Sequence, residues 1–116
     1  MSYPKIARLV NVLKSQTESG SLSWSQTEKP DMFQASFPNY SVRIFVKASN
    51  PIEQDYILQI INQLGEIVEE VSDPDLNGFM ETPYKVMRDL HDSARRSAMG
   101  VENALDDILS WLTPPK

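Results

Sequence analysis

The most constraining feature of this chain is an apolar series near its end. Tyr84, Met87, Leu90, Ala94, Ala98, Val101, Leu105, Ile108 and Leu112 are separated by steps of 3, 3, 4, 4, 3, 4, 3 and 4. Only a helix brings such a series onto one stripe. Thr82-Pro83 opens it as cap residue and first helical position, and Thr113-Pro114-Pro115 closes it. An unbroken helix over 83–112 would be about 45 Å long at 1.5 Å per residue. A globule of 116 residues has a radius of gyration of about 13 Å and a diameter nearer 35 Å. The helix must therefore bend, overhang or lie along a partner. Gly100 is the candidate bend, because glycine inside a helix is about 1 kcal/mol less favourable than alanine. A homodimer in which this long C-terminal helix helps form the interface is the expected arrangement.

What precedes that helix reads as one helix and a sheet. Over 4–18, Ile6, Leu9, Val10 and Leu13 form a stripe while Lys5, Arg8 and Lys14 face elsewhere, with Pro4 at the start and Gly20 at the stop. The following stretch, Glu18 to Gln26, has the serine and glycine of a tether, yet it carries Trp24. Leu22 and Trp24 alternate with Ser21, Ser23 and Ser25, which predicts a short edge strand at about 22–26 with Leu22 and Trp24 inward. Further strands are expected over Met32–Phe37, Tyr40–Ala48, Asp55–Ile61 and Glu66–Val71. A turn at Phe37-Pro38-Asn39-Tyr40, a break at Asn50-Pro51 and a turn at Leu64-Gly65 separate them. Residues 73–81 read as a loop. The expected core includes Leu9, Leu13, Trp24, Val42, Ile44, Val46, Leu58, Ile60, Leu90, Ala94, Val101, Leu105 and Ile108.

At 116 residues with 41% hydrophobic side chains, the chain is long enough for one core without disulfide or metal. It contains no Cys, which removes thiol nucleophiles and Cys-ligated zinc and fits a reducing compartment. Neither a secretory leader nor a bilayer-spanning run is evident, so a cytoplasmic protein is expected. The net charge of −5 is unevenly spread. Residues 1–52 carry six bases and three acids, 53–81 carry eight acids and no base, and 82–116 carry five of each. An acidic middle argues against nucleic acid, whose binding relies on Lys and Arg neutralising phosphates. Three cations on the first helix are ordinary for a solvated surface, so no membrane partner is expected either.

Few groups invite chemistry. Asp73-Pro74-Asp75-Leu76-Asn77-Gly78 reproduces the opening of a calcium-binding loop, making Asp73, Asp75 and Asn77 candidate metal ligands. The twelfth position of that loop is Tyr84, not a bidentate Glu, and a strand, not a helix, precedes it. The same residues are what a plain turn demands. His91 is the only histidine, read as part of a solvated helix face with Arg95 one turn on and with Arg88 and Asp92 similarly spaced. No phosphate loop, nucleophile elbow or zinc-binding helix motif occurs. The expectation is a chain that is not an enzyme and uses no cofactor. Glu66, Glu69 and Glu70 lie in the acidic 53–75 hairpin, a candidate surface for another protein with a basic face. Glu66 and Glu70 would also discourage edge-to-edge pairing of the last strand.

The first helix, Gly20-Ser21-Leu22-Ser23-Trp24, the sheet, Tyr56 with Gly65, and the long last helix together resemble a loose group of small, uncharacterised bacterial proteins built as helix, antiparallel sheet, long helix. In size, acidity and element order the chain is also similar to type III secretion chaperones, though it lacks their helix between strands. Neither resemblance implies an activity. The resulting expectation is a single α+β domain over 1–116. It has an N-terminal helix, a four- to five-stranded antiparallel meander, and a long C-terminal helix packed on one face in two layers. Its expected function is a non-enzymatic protein-interaction module (adaptor, immunity-type or chaperone-like binder). The alternative is a calcium or small-ligand binder using the Asp73–Asn77 loop.

Overall fold

A computed structural model describes residues 3–48 and 50–113. In chain order it contains α1 (Tyr3–Glu18), β1 (Ser25–Gln26), β2 (Phe33–Ser36), β3 (Tyr40–Ala48), β4 (Gln54–Asn62), β5 (Ile67–Ser72), a 3₁₀ turn (Pro74–Leu76), α2 (Pro83–Met99) and α3 (Val101–Leu112). The five strands follow one another across an antiparallel sheet in the order β1-β2-β3-β4-β5, the meander anticipated from the short connections. Pro114 and Pro115, expected to stop the last helix, lie outside the described residues.

The pleat sorts the side chains of the sheet into two surfaces. Phe33, Ile44, Leu58 and Val71 stand opposite one another across β2, β3, β4 and β5, and all four are almost fully buried. They meet Ile6, Ala7, Val10 and Leu13 of α1 and Met87, Leu90 and Ala94 of α2 in one core. Removing each of these large side chains from water contributes about 2 kcal/mol. One residue along, Gln34, Arg43, Gln59 and Glu70 stand in register on the helix-free surface. Arg43 Nε donates to Gln34 Oε1 at 2.8 Å, and Gln59 Nε2 donates to Glu70 Oε1 at 2.7 Å. The alternation therefore gives an α+β fold with helices on one face of the sheet. Leu9 and Val46, expected in the core, are half-buried and packed against it, and Ile60, also expected there, is half-buried.

Trp24 is 4% exposed, as its alternation with serine predicted. Its indole Nε1 donates to Thr17 Oγ1 at 2.9 Å, and the Thr17 hydroxyl donates to the Leu13 carbonyl. The strand is nevertheless only two residues long, not the five expected over 22–26. The backbone N–H groups that would have extended it are taken by helices. Ser21 and Leu22 donate to the Gln16 carbonyl at the end of α1, and Trp24 N–H donates to Ser97 Oγ on α2.

Three local expectations are corrected. Thr82 precedes α2 as expected, but at φ 46° it lies in the left-handed region, and its hydroxyl makes no cap bond. A β-branched residue there stores strain of about 1 kcal/mol or more. The strand expected over Glu66–Val71 is not regular but carries a bulge: Ile60 faces Glu69 while Ile61 faces Ile67, leaving Val68 without a partner. Ile67 thereby joins the helix-free surface and is exposed. Third, the helix expected over 83–112 is two helices. Gly100, at φ 65° and ψ 40°, ends α2 by donating to the Arg96 and Ser97 carbonyls and starts α3. Its left-handed conformation turns the chain, and glycine adopts it without the strain an L side chain meets.

Candidate interaction surface

The bend at Gly100 sends α3 away from the body. The radius of gyration is 15.9 Å and the longest extent 58 Å, against 35 Å and 25 Å in the other directions. An overhang was one of the three resolutions that helix length allowed. No residue of α3 is buried. Val101, Leu105 and Ile108, expected in the core because the stripe runs without a phase break from α2, are therefore not part of it. Val101 is half-exposed, and Leu105 and Ile108 are exposed.

At 100° per residue, Val101, Leu105, Ile108 and Leu112 form the centre of one face of α3. Ala104 and Trp111 lie on one flank and Leu109 on the other, so the apolar arc is roughly 160° wide. Glu102, Asn103, Asp106, Asp107 and Ser110 occupy the remainder. The exposures are 45% for Leu105, 55% for Ile108, 53% for Leu109, 80% for Trp111 and 72% for Leu112. These amount to roughly 400 Å² of apolar side chain, the size at which a patch marks an interaction site. A helix of 12 residues is marginal by itself in water. Across the bend, Arg96 Nη2 and Glu102 Oε1 form an ion pair at 3.1 Å.

Two open grooves flank the helical layer. One, of 510 Å³, lies at the bend and is lined by Glu18, Gly20, Leu22, Ser97, Gly100 and Glu102 among others. The second, of 730 Å³, lies at the opposite end, where Ala7, Arg8 and Val12 of α1 face Phe79, Met80 and Val86. Val12 and Phe79 are each 47% exposed. The first pairs the end of α1 with the end of α2 and the second pairs their beginnings, so the two helices run parallel.

The candidate metal ligands are engaged in holding the backbone. Asp73 is buried, its Oδ1 accepts from Tyr56 N–H at 2.8 Å, and its own N–H donates to the Tyr56 carbonyl. Burial pushes the Asp73 carboxyl above its ordinary 3.8, the Tyr56 N–H opposes that rise, and Asp55 and Asp75 add repulsion. Asp75 Oδ2 accepts from Ser72 N–H at 3.0 Å, and Asn77 is exposed. Among the described residues no group of three or more His, Asp or Glu side chains is arranged to hold a metal ion.

Nor do the three candidate partner-binding carboxylates converge. Glu66 Oε1 accepts from Asn62 Nδ2 in the β4–β5 turn. Glu70 lies on the helix-free surface bonded to Gln59, and Glu69 points to the other side. Glu69 Oε1 accepts the N–H of Glu70, and Asp75 caps that of Ser72, so carboxylates occupy two N–H groups of this edge strand. These two carboxylates are not the Glu66 and Glu70 expected to guard the edge.

His91 is buried, contrary to the solvated face expected of it. Its Nε2 donates to the Asp31 carbonyl at 2.9 Å, and its ring sits 5.4 Å from Phe33 and 5.6 Å from Tyr56. Within α2, Arg88 pairs with the adjacent Asp89 and Arg95 pairs with Asp92 three positions earlier, in place of the Arg88–Asp92 pairing that the spacing offered. Burial also pushes the Tyr56 hydroxyl above its ordinary 10.0, with Tyr84 beside it adding to the rise and Arg88 opposing it.

Sequence reasoning named the C-terminal helix as an interface but missed that the body leaves the whole apolar face of α3 uncovered, and it missed the far groove. One signal for it was present. Leu109 and Trp111 fall outside the stripe that continues from α2, and a helix that is apolar well beyond one stripe has more to cover than its own core. Compared with known proteins, the chain matches no family model, no curated protein and no solved structure. Among the described residues no helix is long and apolar enough to cross a membrane.

Proposed function

We propose that this chain is a non-enzymatic protein-interaction module, an adaptor, immunity-type or chaperone-like binder that acts as a cytoplasmic homodimer with α3 as its contact helix. One observation carries the reading: a 12-residue helix turned outward at Gly100 with none of its apolar face buried. Projecting apolar side chains are a liability in water unless they meet a partner, and Trp111 is the kind of residue that anchors interfaces. Asp73 and His91 have structural duties: Asp73 holds the Tyr56 backbone and His91 holds that of Asp31.

The mass in solution tests the proposal. Light scattering is expected to give the mass of two chains at tens of micromolar. A single-chain mass at that concentration sinks the homodimer.

A further inference from the structure

We infer that the dimer is a reciprocal exchange, in which α3 of each copy lies in the groove between α1 and the start of α2 of the other. This rests on the homodimer reading and adds to it the surface that receives the helix. Charge separates this arrangement from pairing of α3 with α3. The described part of α3 and its cap, residues 101–113, holds Glu102, Asp106 and Asp107 and no base. These carboxylates lie off the apolar face, so α3 brings a net charge of −3 to whatever covers it, which favours a basic surface over a second copy of the same acidic helix.

The α1 wall of the groove offers the complement: Arg8 lines it, and Lys5, outside the lining, lies one turn earlier on the same side. No acidic residue occurs in the chain before Glu18. Glu81 is the one carboxylate among the groove's lining residues, and it sits at the end formed by the start of α2. Val12 and Phe79 are the exposed apolar residues there.

Length argues that the helix comes from a second copy. Val86 lies about 21 Å along α2 from Gly100, 14 residues at 1.5 Å each. α3 is about 18 Å long, so folded back on its own body it would bring only its tip level with the groove. From a neighbouring copy set antiparallel, the whole helix can lie there. Two α3 faces of roughly 400 Å² each enter the exchange, one for each groove. The exchange is closed and two-fold, so it stops at two chains.

The absence of Cys from the sequence makes the test direct. Val12→Cys and Phe79→Cys mark the groove, and Ile108→Cys and Leu105→Cys mark the helix. Each groove variant is mixed with each helix variant, allowed to exchange subunits and mildly oxidised. Covalent dimer is expected in at least one mixture and in none of the four variants alone. Using separate chains excludes an internal bridge, and two positions on each side allow for a shift of register. Covalent dimer from Ile108→Cys or Leu105→Cys alone overturns the inference in favour of α3 pairing with itself. No covalent dimer in any mixture, with scattering still giving two chains, overturns the exchange and leaves the homodimer standing. A single-chain mass overturns both.

Discussion

Replacing Trp24 with Ala is expected to cost about 3–5 kcal/mol, the range for truncating a large aromatic in a packed core. The structure supports the full amount. Trp24 is 4% exposed, its indole donates to Thr17, and it lies in the same cluster as Leu13 and Ala94. A buried Trp covers about 200 Å² of apolar surface, which at 25 cal/mol per Å² gives about 5 kcal/mol as an upper estimate. Losing the indole donor leaves the Thr17 oxygen without one partner, for about a further 1 kcal/mol. Its hydroxyl still donates to Leu13, and the Trp24 backbone bond to Ser97 survives the substitution. A chain of 116 residues has a total stability of about 6–17 kcal/mol, so the variant should stay folded but unfold at much lower urea. The assay is urea unfolding followed by far-ultraviolet circular dichroism, run dilute enough that the midpoint does not depend on concentration. Trp24→Phe, which keeps most of the ring surface but not the indole N–H, should fall between the two. A loss below about 1 kcal/mol for Trp24→Ala would refute the reasoning, because it would make the 19–26 segment a tether carrying a stray Trp.

The remaining expectations concern Asp73 and Gly100. The Asp73 carboxyl is raised above 3.8 in the folded state, so the folded chain holds that proton more tightly than the unfolded one. Its contribution is fully present below 3.8 and is lost as pH rises from there through the raised value. Asp73→Asn keeps an oxygen for the Tyr56 N–H and removes the charge. Relative to that variant, the parent should therefore lose stability between acidic and neutral pH, read as urea midpoints at the two ends; a relative gain would contradict the assignment. At Gly100 an added Cβ meets nothing within 4 Å, so Gly100→Ala tests the left-handed backbone alone. A loss of about 1 kcal/mol in thermal unfolding is expected, whereas a gain would mean that the chain prefers one unbroken helix.

Periodicity made most of the fold legible. Trp24 among serines, the alternation of Val42 and Ile44 with Arg43, and the stripe of α2 each report a side-chain period that backbone geometry imposes. What stayed hidden depends on contacts distant in sequence. The N–H of Trp24 is claimed by Ser97, 73 positions away, which is why the first strand is short. His91 is buried because Asp31, Phe33 and Tyr56 surround it, and no local spacing encodes those neighbours. The β5 bulge moved Ile67 to the other face by one position, a slip that a period of two cannot absorb. Gly100 was legible as a bend but not as a change of direction, so Leu105 and Ile108 were counted as core. The apolar stripe reports that a face is to be covered, and it does not say by which chain.

Whether a second copy covers α3 decides the homodimer. Light scattering over a dilution series of the parent and of Ile108→Asp tests this most directly. The parent is expected to hold a two-chain mass at tens of micromolar and to dissociate on dilution. The variant places a charge in each of the two helix contacts and should dissociate at about 100-fold higher concentration, with its circular dichroism unchanged because Ile108 is exposed in the single chain. A parent that stays monomeric, or a variant that dimerises as well as the parent does, contradicts the account.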